Sequence, residues 1–362
     1  MQIFKNNKGI DESSQKFLRY KDDHALRMHN IASKLKNIAA ASFIAIAIAA
    51  GPSSIPASIS GGYNKGNSTA YSSNASALKI RNNPSSFSVS LSSNWSGYIT
   101  ESSFKHPLSV VSSIKGEWNV PEINYVKPKK KFIAITVNSM PFFFIIRPPS
   151  DVSEWIGVGG SKSSDNTLIQ TGTDSTYSIR KKKFINQAWY ELLPFQPVYI
   201  PRKEFTVKPG DEIYAEINLL SKSKNQWEIE IDNLTTNQNF KKIVTYKSSM
   251  TSGEWIVEDS TIAPRVILEN GSSFYVPILC SLSYFKTIKF SSAIATVNSN
   301  TLPLGELKSK PDIMASWHWK NGKPNVLQIR AVPSKISYNG MGFDVRRINK
   351  AMSTNAIRNM KR

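Results

Sequence analysis

Two acids, Glu254 and Glu258, flank Trp255-Ile-Val257 in the run Ser252-Gly-Glu-Trp-Ile-Val-Glu-Asp259. Side chains alternate along a strand, so Glu254, Ile256 and Glu258 share one face while Trp255 and Val257 take the other. If the two apolar residues fill a core, both carboxylates face water or a cleft. Paired carboxylates can perform acid–base hydrolysis, but these two stand about 13 Å apart at roughly 3.3 Å per residue. Glycosidases need about 5–9.5 Å, so Glu258 would have to find its partner on another strand. A second run, Asn166-Thr-Leu-Ile-Gln-Thr-Gly172, sets Leu168 and Gln170 on the face opposite Ile169. A glutamine in such company needs hydrogen-bond partners or a solvated cleft. A third, Ala188-Trp-Tyr-Glu-Leu-Leu-Pro194, puts Trp189 and Glu191 on a common face. An aromatic–carboxylate surface of that kind suits an extended polar polymer.

Other chemistries lack their residues. The four histidines (His24, His29, His106 and His318) show no paired spacing, and Cys280 is the single cysteine. A disulfide framework and a thiolate zinc site are therefore excluded, and no metal or organic cofactor is expected. The nucleophile-elbow pattern Gly-x-Ser-x-Gly of serine hydrolases is absent. Net charge is +20, gathered in clusters such as Lys129–Lys131, Lys181–Lys183 and a tail containing Arg346, Arg347 and Lys350. No nucleic-acid-binding signature accompanies these clusters, so they read as solvated loops and no nucleic-acid partner is expected.

The elements that must position the acids are short and β-prone. Asp211–Asn218 and Trp227–Asp232 alternate cleanly, and Val207-Lys-Pro-Gly-Asp211 is a turn feeding the first of them. Ile288–Val297 and Val326–Val332 are further strands, and Phe132–Val137 with Pro141–Ile146 reads as a hairpin inside a Lys- and Phe-rich stretch at 127–150. Many strands at short spacing with Gly, Pro and Asn punctuation predict an antiparallel sandwich or barrel. Ahead of it, Phe17–Ile31 has the pattern of a short amphipathic helix. The uncharged segment Ile38–Ala50 fits a signal-peptide core, being too short for a bilayer span of about 20 residues. Secretion is the expectation, with membrane contact only through 38–50 if that segment stays attached. Residues 51–87 are Ser-, Gly- and Asn-rich, a linker or pro-segment; the main domain is expected at 88–348, with a basic tail at 349–362. Export would make Asn67, Asn74, Asn94, Asn233 and Asn270 formal glycosylation acceptors, a common motif of little weight.

Taken in order, Ser93-Asn-Trp-Ser-Gly-Tyr98, Trp118-Asn-Val-Pro121, Trp155-Ile-Gly-Val-Gly-Gly160, Ile169-Gln-Thr-Gly172, Trp189-Tyr-Glu191 with Pro194, Pro209-Gly-Asp211 and Glu254-Trp-Ile-Val-Glu258 resemble the glutamic endopeptidases, or eqolisins. The resemblance spans about residues 90 to 300. It implies an all-β fold, a two-sheet antiparallel β-sandwich of the concanavalin A or lectin-like jelly-roll type, with a substrate groove on the concave face. It also implies a catalytic pair, Gln170 and Glu258, with Trp95, Trp155, Trp189 and Glu191 lining or supporting the groove and binding substrate. Protein or peptide substrates and a monomeric state follow as expectations. Gly159 stands where the family often has Asp, Gln187 where an acid can occur, and Leu193 where an aromatic can.

Those residue types suit amide hydrolysis. Attacking water needs a base and the departing nitrogen needs a proton, and one carboxyl, Glu258, can serve both in turn; such help is worth about 10²–10⁴-fold. The amide NH₂ of Gln170 can donate to the tetrahedral oxyanion, and a donor of that kind is worth about 10²–10³-fold. A glutamine does not titrate, so the donor persists in acid, where a glutamate of ordinary pKa near 4.3 is only partly ionised. Two other readings share the same residues. A non-catalytic lectin-like sandwich would bind glycan or peptide in the groove, and a glycoside hydrolase would pair Glu258 with Glu191.

Overall fold

A computed structural model describes residues 78–79, 88–101, 110–137, 140–161, 165–262, 265–267, 273–320 and 323–353. The expected helix at 17–31 and the segment 38–50 lie outside the described residues. All regular structure among those described is strand. In chain order the strands are β1 (Leu78–Lys79), β2 (Ser88–Ser92), β3 (Trp95–Glu101), β4 (Val111–Asn119), β5 (Lys131–Val137) and β6 (Met140–Ile146). Next come β7 (Ser150–Val158), β8 (Ile169–Ser178), β9 (Lys183–Leu192), β10 (Val198–Tyr199), β11 (Glu212–Ser221) and β12 (Gln226–Asn233). They are followed by β13 (Gln238–Thr245), β14 (Ser252–Glu258), β15 (Thr261–Ile262), β16 (Arg265–Ile267), β17 (Ser273–Tyr275) and β18 (Ile278–Leu279). The chain closes with β19 (Ser281–Leu282), β20 (Thr287–Val297), β21 (Asn300–Pro303), β22 (Ser309–Lys320), β23 (Lys323–Pro333) and β24 (Phe343–Ser353). Two compact units divide the chain, Ala47–His318 with Val326–Arg362, and Met1–Ile46 with Trp319–Asn325. Of the second, only the tips of β22 and β23 are described.

Strand pairing builds two layers. The front layer runs β2–β22–β3–β14–β7–β8–β9–β10. The back layer runs β13–β12–β11–β4–β20–β24–β23. Pairing is antiparallel throughout except β2 with β22 and β19 with β7. The β5–β6 hairpin forms its own two-stranded sheet, as its sequence predicts. β1 pairs with β2, so a two-residue strand stands within 51–87, and β24 carries regular pairing past residue 348 to Ser353.

The alternation read from sequence decides which side of each layer is apolar. Ile156, Trp255 and Val257 from the front layer meet Ile114, Trp118, Ile217, Trp227, Ile229 and Phe290 from the back, and together they form the main core. The Trp255 indole reaches across to β4, where its Nε1 donates to the Lys115 carbonyl at 2.8 Å. A side chain at Gly116 would come within 2.9 Å of that ring, so the glycine leaves the space the indole fills. The Pro-Gly-Asp turn closes as expected: Gly210 has φ +88°, and the Asp211 carboxylate accepts from Lys208 N at 2.8 Å. Replacing a fully buried tryptophan leaves a cavity the sandwich cannot close. Trp255→Ala should therefore cost about 3–5 kcal/mol in urea unfolding, and a change well below 1 kcal/mol would show that the indole is not part of the packed core.

Candidate active site

Register across the front layer lines up the face opposite the core in rows. One row reads Trp95, Glu258, Ser153, Asp174 and Gln187 across β3, β14, β7, β8 and β9. The next reads Gly97, Ile256, Trp155, Gly172 and Trp189, and the third Ile99, Glu254, Gly157, Gln170 and Glu191. A smaller apolar cluster on this face, with Trp95, Trp155, Trp189, Leu168 and Ile256, forms its dry floor. The rows therefore bring residues from five separate strands onto one surface, which no local pattern in the sequence could do alone.

Glu258 is 5% exposed and held from two sides. Asn94 Nδ2 donates to its Oε1 at 2.8 Å, and Trp155 Nε1 donates to its Oε2 at 2.8 Å. Each donor is itself fixed. The Ser92 hydroxyl accepts from the backbone N–H of Asn94 and of Trp95 at 3.3 and 3.1 Å, while Ser92 and Ser93 hydroxyls donate to Asn94 Oδ1. Backbone pairing continues past the strand end, where Asp259 N donates to the Asn94 carbonyl at 2.9 Å. The Trp155 ring packs edge-on against Trp95, centroids 5.0 Å apart. It also lies over bare positions: a side chain at Gly157 would sit 2.9 Å from the ring, and one at Gly172 only 2.5 Å from Trp155 Cβ.

Gln170 and Glu191 face each other across β8 and β9, and Gln170 Nε2 donates to Glu191 Oε2 at 2.5 Å. Gln170, Glu191, Glu258 and Trp189 line one cavity of about 270 Å³, with Asp151 and Asp174 in the same wall. Burial pushes the Glu191 carboxyl up to about 8; the Glu258 charge adds to that rise and the Gln170 hydrogen bond opposes it. Asp174 is likewise held well above the usual carboxylate range, by burial first and then by the neighbouring Asp151 charge, against a Thr176 hydrogen bond. Two carboxyls of the cavity wall are thus biased towards their neutral forms by their surroundings.

The structure brings four of the six expected site residues, Gln170, Glu191, Glu258 and Trp189, to the cavity wall. Trp95 and Trp155, expected to line or support the groove and bind substrate, are 3% and 0% exposed and do not line the cavity; Trp155 supports it as a hydrogen-bond donor to Glu258. Glu254 shares the face of Glu258 but not its access. It is wholly buried, and burial holds its carboxyl well above the usual range. At Gly159, φ is +92° and a side chain would meet the Thr167 carbonyl at 2.8 Å, so an acid does not fit this backbone. Asp165 serves the loop instead, accepting from Gly160 N, Thr167 N and the Thr167 hydroxyl. Asn94 and Asn233 are buried with their amides bonded inside the protein, which removes both as glycosylation acceptors. Sequence reasoning missed Asn94 as the partner of Glu258; its signal was its place beside Trp95 at a strand start. Among the described residues no group of three or more His, Cys, Asp or Glu is arranged to hold a metal ion.

The model of the Peptidase A4 family matches residues 93–316. Among solved structures, the chain is similar to scytalido-glutamic peptidase with a peptide-based transition-state analogue, at 19% identity and TM-score 0.45, covering 71% of this chain and 98% of that one. It is similar to SCP-B, an eqolisin in complex with a tripeptide, at 18% identity and TM-score 0.42 over 71% and 98%. Aspergilloglutamic peptidase from Aspergillus niger follows at 24% identity and TM-score 0.39 over 55% and 99%. No curated protein matches. The family match covers more than half of the chain, across the segments that build the cavity, and the chain belongs to the Peptidase A4 family, the eqolisins, and is a glutamic endopeptidase.

Proposed function

We propose that the chain hydrolyses peptide bonds in acid through Glu258 and Gln170. The observation that carries this reading is the shared cavity: Gln170 and Glu258 line one concave space together with Glu191, a raised-pKa carboxyl hydrogen-bonded to the Gln170 amide. In this reading Glu258 takes a proton from water, while Glu191, hydrogen-bonded to Gln170, holds its own. Two donors, Asn94 from the turn before β3 and Trp155 from β7, hold it in a single orientation, so the base is aimed before substrate arrives. Gln170 Nε2 carries two hydrogens; one engages Glu191, and the other serves the oxygen that becomes negative as water adds. Glu258 then returns its proton to the departing nitrogen. Membership of a peptidase family favours this reading over the glycan-binding and glycosidase readings that the same residues allow.

The site also bears on working pH. Burial raises the carboxyls of Glu154, Asp174, Glu191, Glu254 and Asp312, the last to about 7. In the fold these groups hold protons over a range where the unfolded chain has lost them. Their stabilisation is complete below the ordinary carboxylate pKa, about 4. It is lost as pH rises, through about 7 for Asp312 and about 8 for Glu191. Asp165, whose carboxyl is lowered by hydrogen bonds, works in the opposite sense and is outnumbered. Export by way of 38–50, with 51–87 as linker or pro-segment ahead of a catalytic domain at 88–348, completes the proposal and rests on the sequence.

Two measurements follow. Hydrolysis of a denatured protein by the purified chain across pH 2–7 should peak in acid, and Glu258→Gln and Gln170→Ala should each lower kcat by about 10²-fold or more while circular dichroism stays parental; parental rates in either variant would end the Gln/Glu reading. Thermal unfolding should show a higher Tm near pH 4 than near pH 7.5, with the difference reduced in Glu191→Gln. A profile rising towards neutral pH would contradict the assigned proton balance.

A further inference from the structure

Glu258 is held by Asn94, whose turn between β2 and β3 is tied to the end of β14 through the backbone by the bond from Asp259 N to the Asn94 carbonyl; a side chain adds a second tie. Arg330 stands across both. Its Nη1 donates to Asp259 Oδ2 at 2.5 Å, and its Nη2 donates to the Ser93 carbonyl at 2.5 Å. One guanidinium thus spans the residue after Glu258 and the residue before Asn94. The fork of a guanidinium fixes two acceptors relative to each other, which an ammonium on a flexible stem does not. Arg330 lies on β23 where pairing with β24 shifts register, between Ile329↔Lys350 and Ala331↔Arg347. Such irregularities re-aim side chains. The ion pair is largely shielded, with the Asp259 side chain 0% and that of Arg330 20% exposed.

We infer that Arg330 is a positioning residue for the catalytic base: it clamps the Ser93–Asn94 turn to Asp259 and so keeps Asn94 Nδ2 on Glu258. It lies beyond the matched family residues 93–316, and it does not line the cavity. The inference rests on the reading of Glu258 as the base. A clamp of this kind acts on the orientation of the base and leaves substrate contacts alone, so it shows in kcat with KM unchanged.

The test uses the whole chain. Arg330→Met alone strands a buried carboxylate and threatens folding, so it is paired with Asp259→Leu, which removes both charges together. The paired variant should unfold near the parental temperature yet lose about 10- to 100-fold in kcat, the scale of a base displaced by about 1 Å, with KM within about twofold. Because the clamp works through Asn94, adding the pair to Asn94→Ala should cost no more than about twofold further in kcat. Parental kcat in the paired variant would show that Arg330 merely neutralises Asp259, and a full additive loss on Asn94→Ala would show that it acts elsewhere; either result overturns the inference. Glu258→Gln run in parallel separates the two readings. Activity surviving that change overturns the role of Glu258 and the clamp with it, whereas loss there beside a parental paired variant overturns the clamp alone.

Discussion

A carboxylate can be kept beneath a protein surface only when its oxygens are hydrogen-bonded, and Glu258 meets that condition with two donors brought from two other places in the chain. Much of the front layer follows from this requirement. Asn94 needs a turn that presents its amide, which the Ser92 hydroxyl organises. Trp155 needs room for its ring on a crowded face, which Gly157 and Gly172 leave open. The ladder must then run unbroken from β3 through β14 to β7, since a slip of one residue would turn every one of these groups to the core side.

The two faces of that layer divide the labour. The inner face carries Trp255, Val257 and Ile156 into the main core, which supplies stability. The outer face carries acids and aromatics with their own small apolar floor, where stability is given up. Burying carboxyls such as Glu254 and Glu191 is unfavourable whenever they ionise, and acid removes that penalty by keeping them neutral. Acid therefore favours the scaffold that holds these carboxyls.

Much of this was legible from period-two alternation: the faces of Glu254, Glu258, Gln170, Trp189 and Glu191, the hairpin at 131–146 and the turn before β11 are as the sequence predicts. Alternation reports which face a side chain takes and says nothing of depth. Glu254 and Glu258 have the same phase on the same strand, yet Glu254 is sealed over while Glu258 opens to the cavity, because what covers each comes from distant segments. Trp95 and Trp155, which the resemblance puts on or behind the groove, are buried beneath this face. Asn94 looked like a glycosylation acceptor because its partner stands far along the chain. Arg330 was one more polar residue in a β-prone run, and only the register shift against β24 gives it an address.

Those separations have a consequence for how the enzyme comes into being. The bonds that set Glu258 join it to residues 164 and 103 positions earlier, and the Arg330 bond to Ser93 spans 237. No growing fragment on the ribosome holds all of them, and contacts so distant in sequence form late in folding. The strand bearing Arg330, β23, follows in the chain all the strands that line the cavity. Glu258 and the two donors that hold it are therefore made before the strand that brings Arg330 to them. The side chains that line the cavity can thus be present in a growing chain before the last of these ties can form.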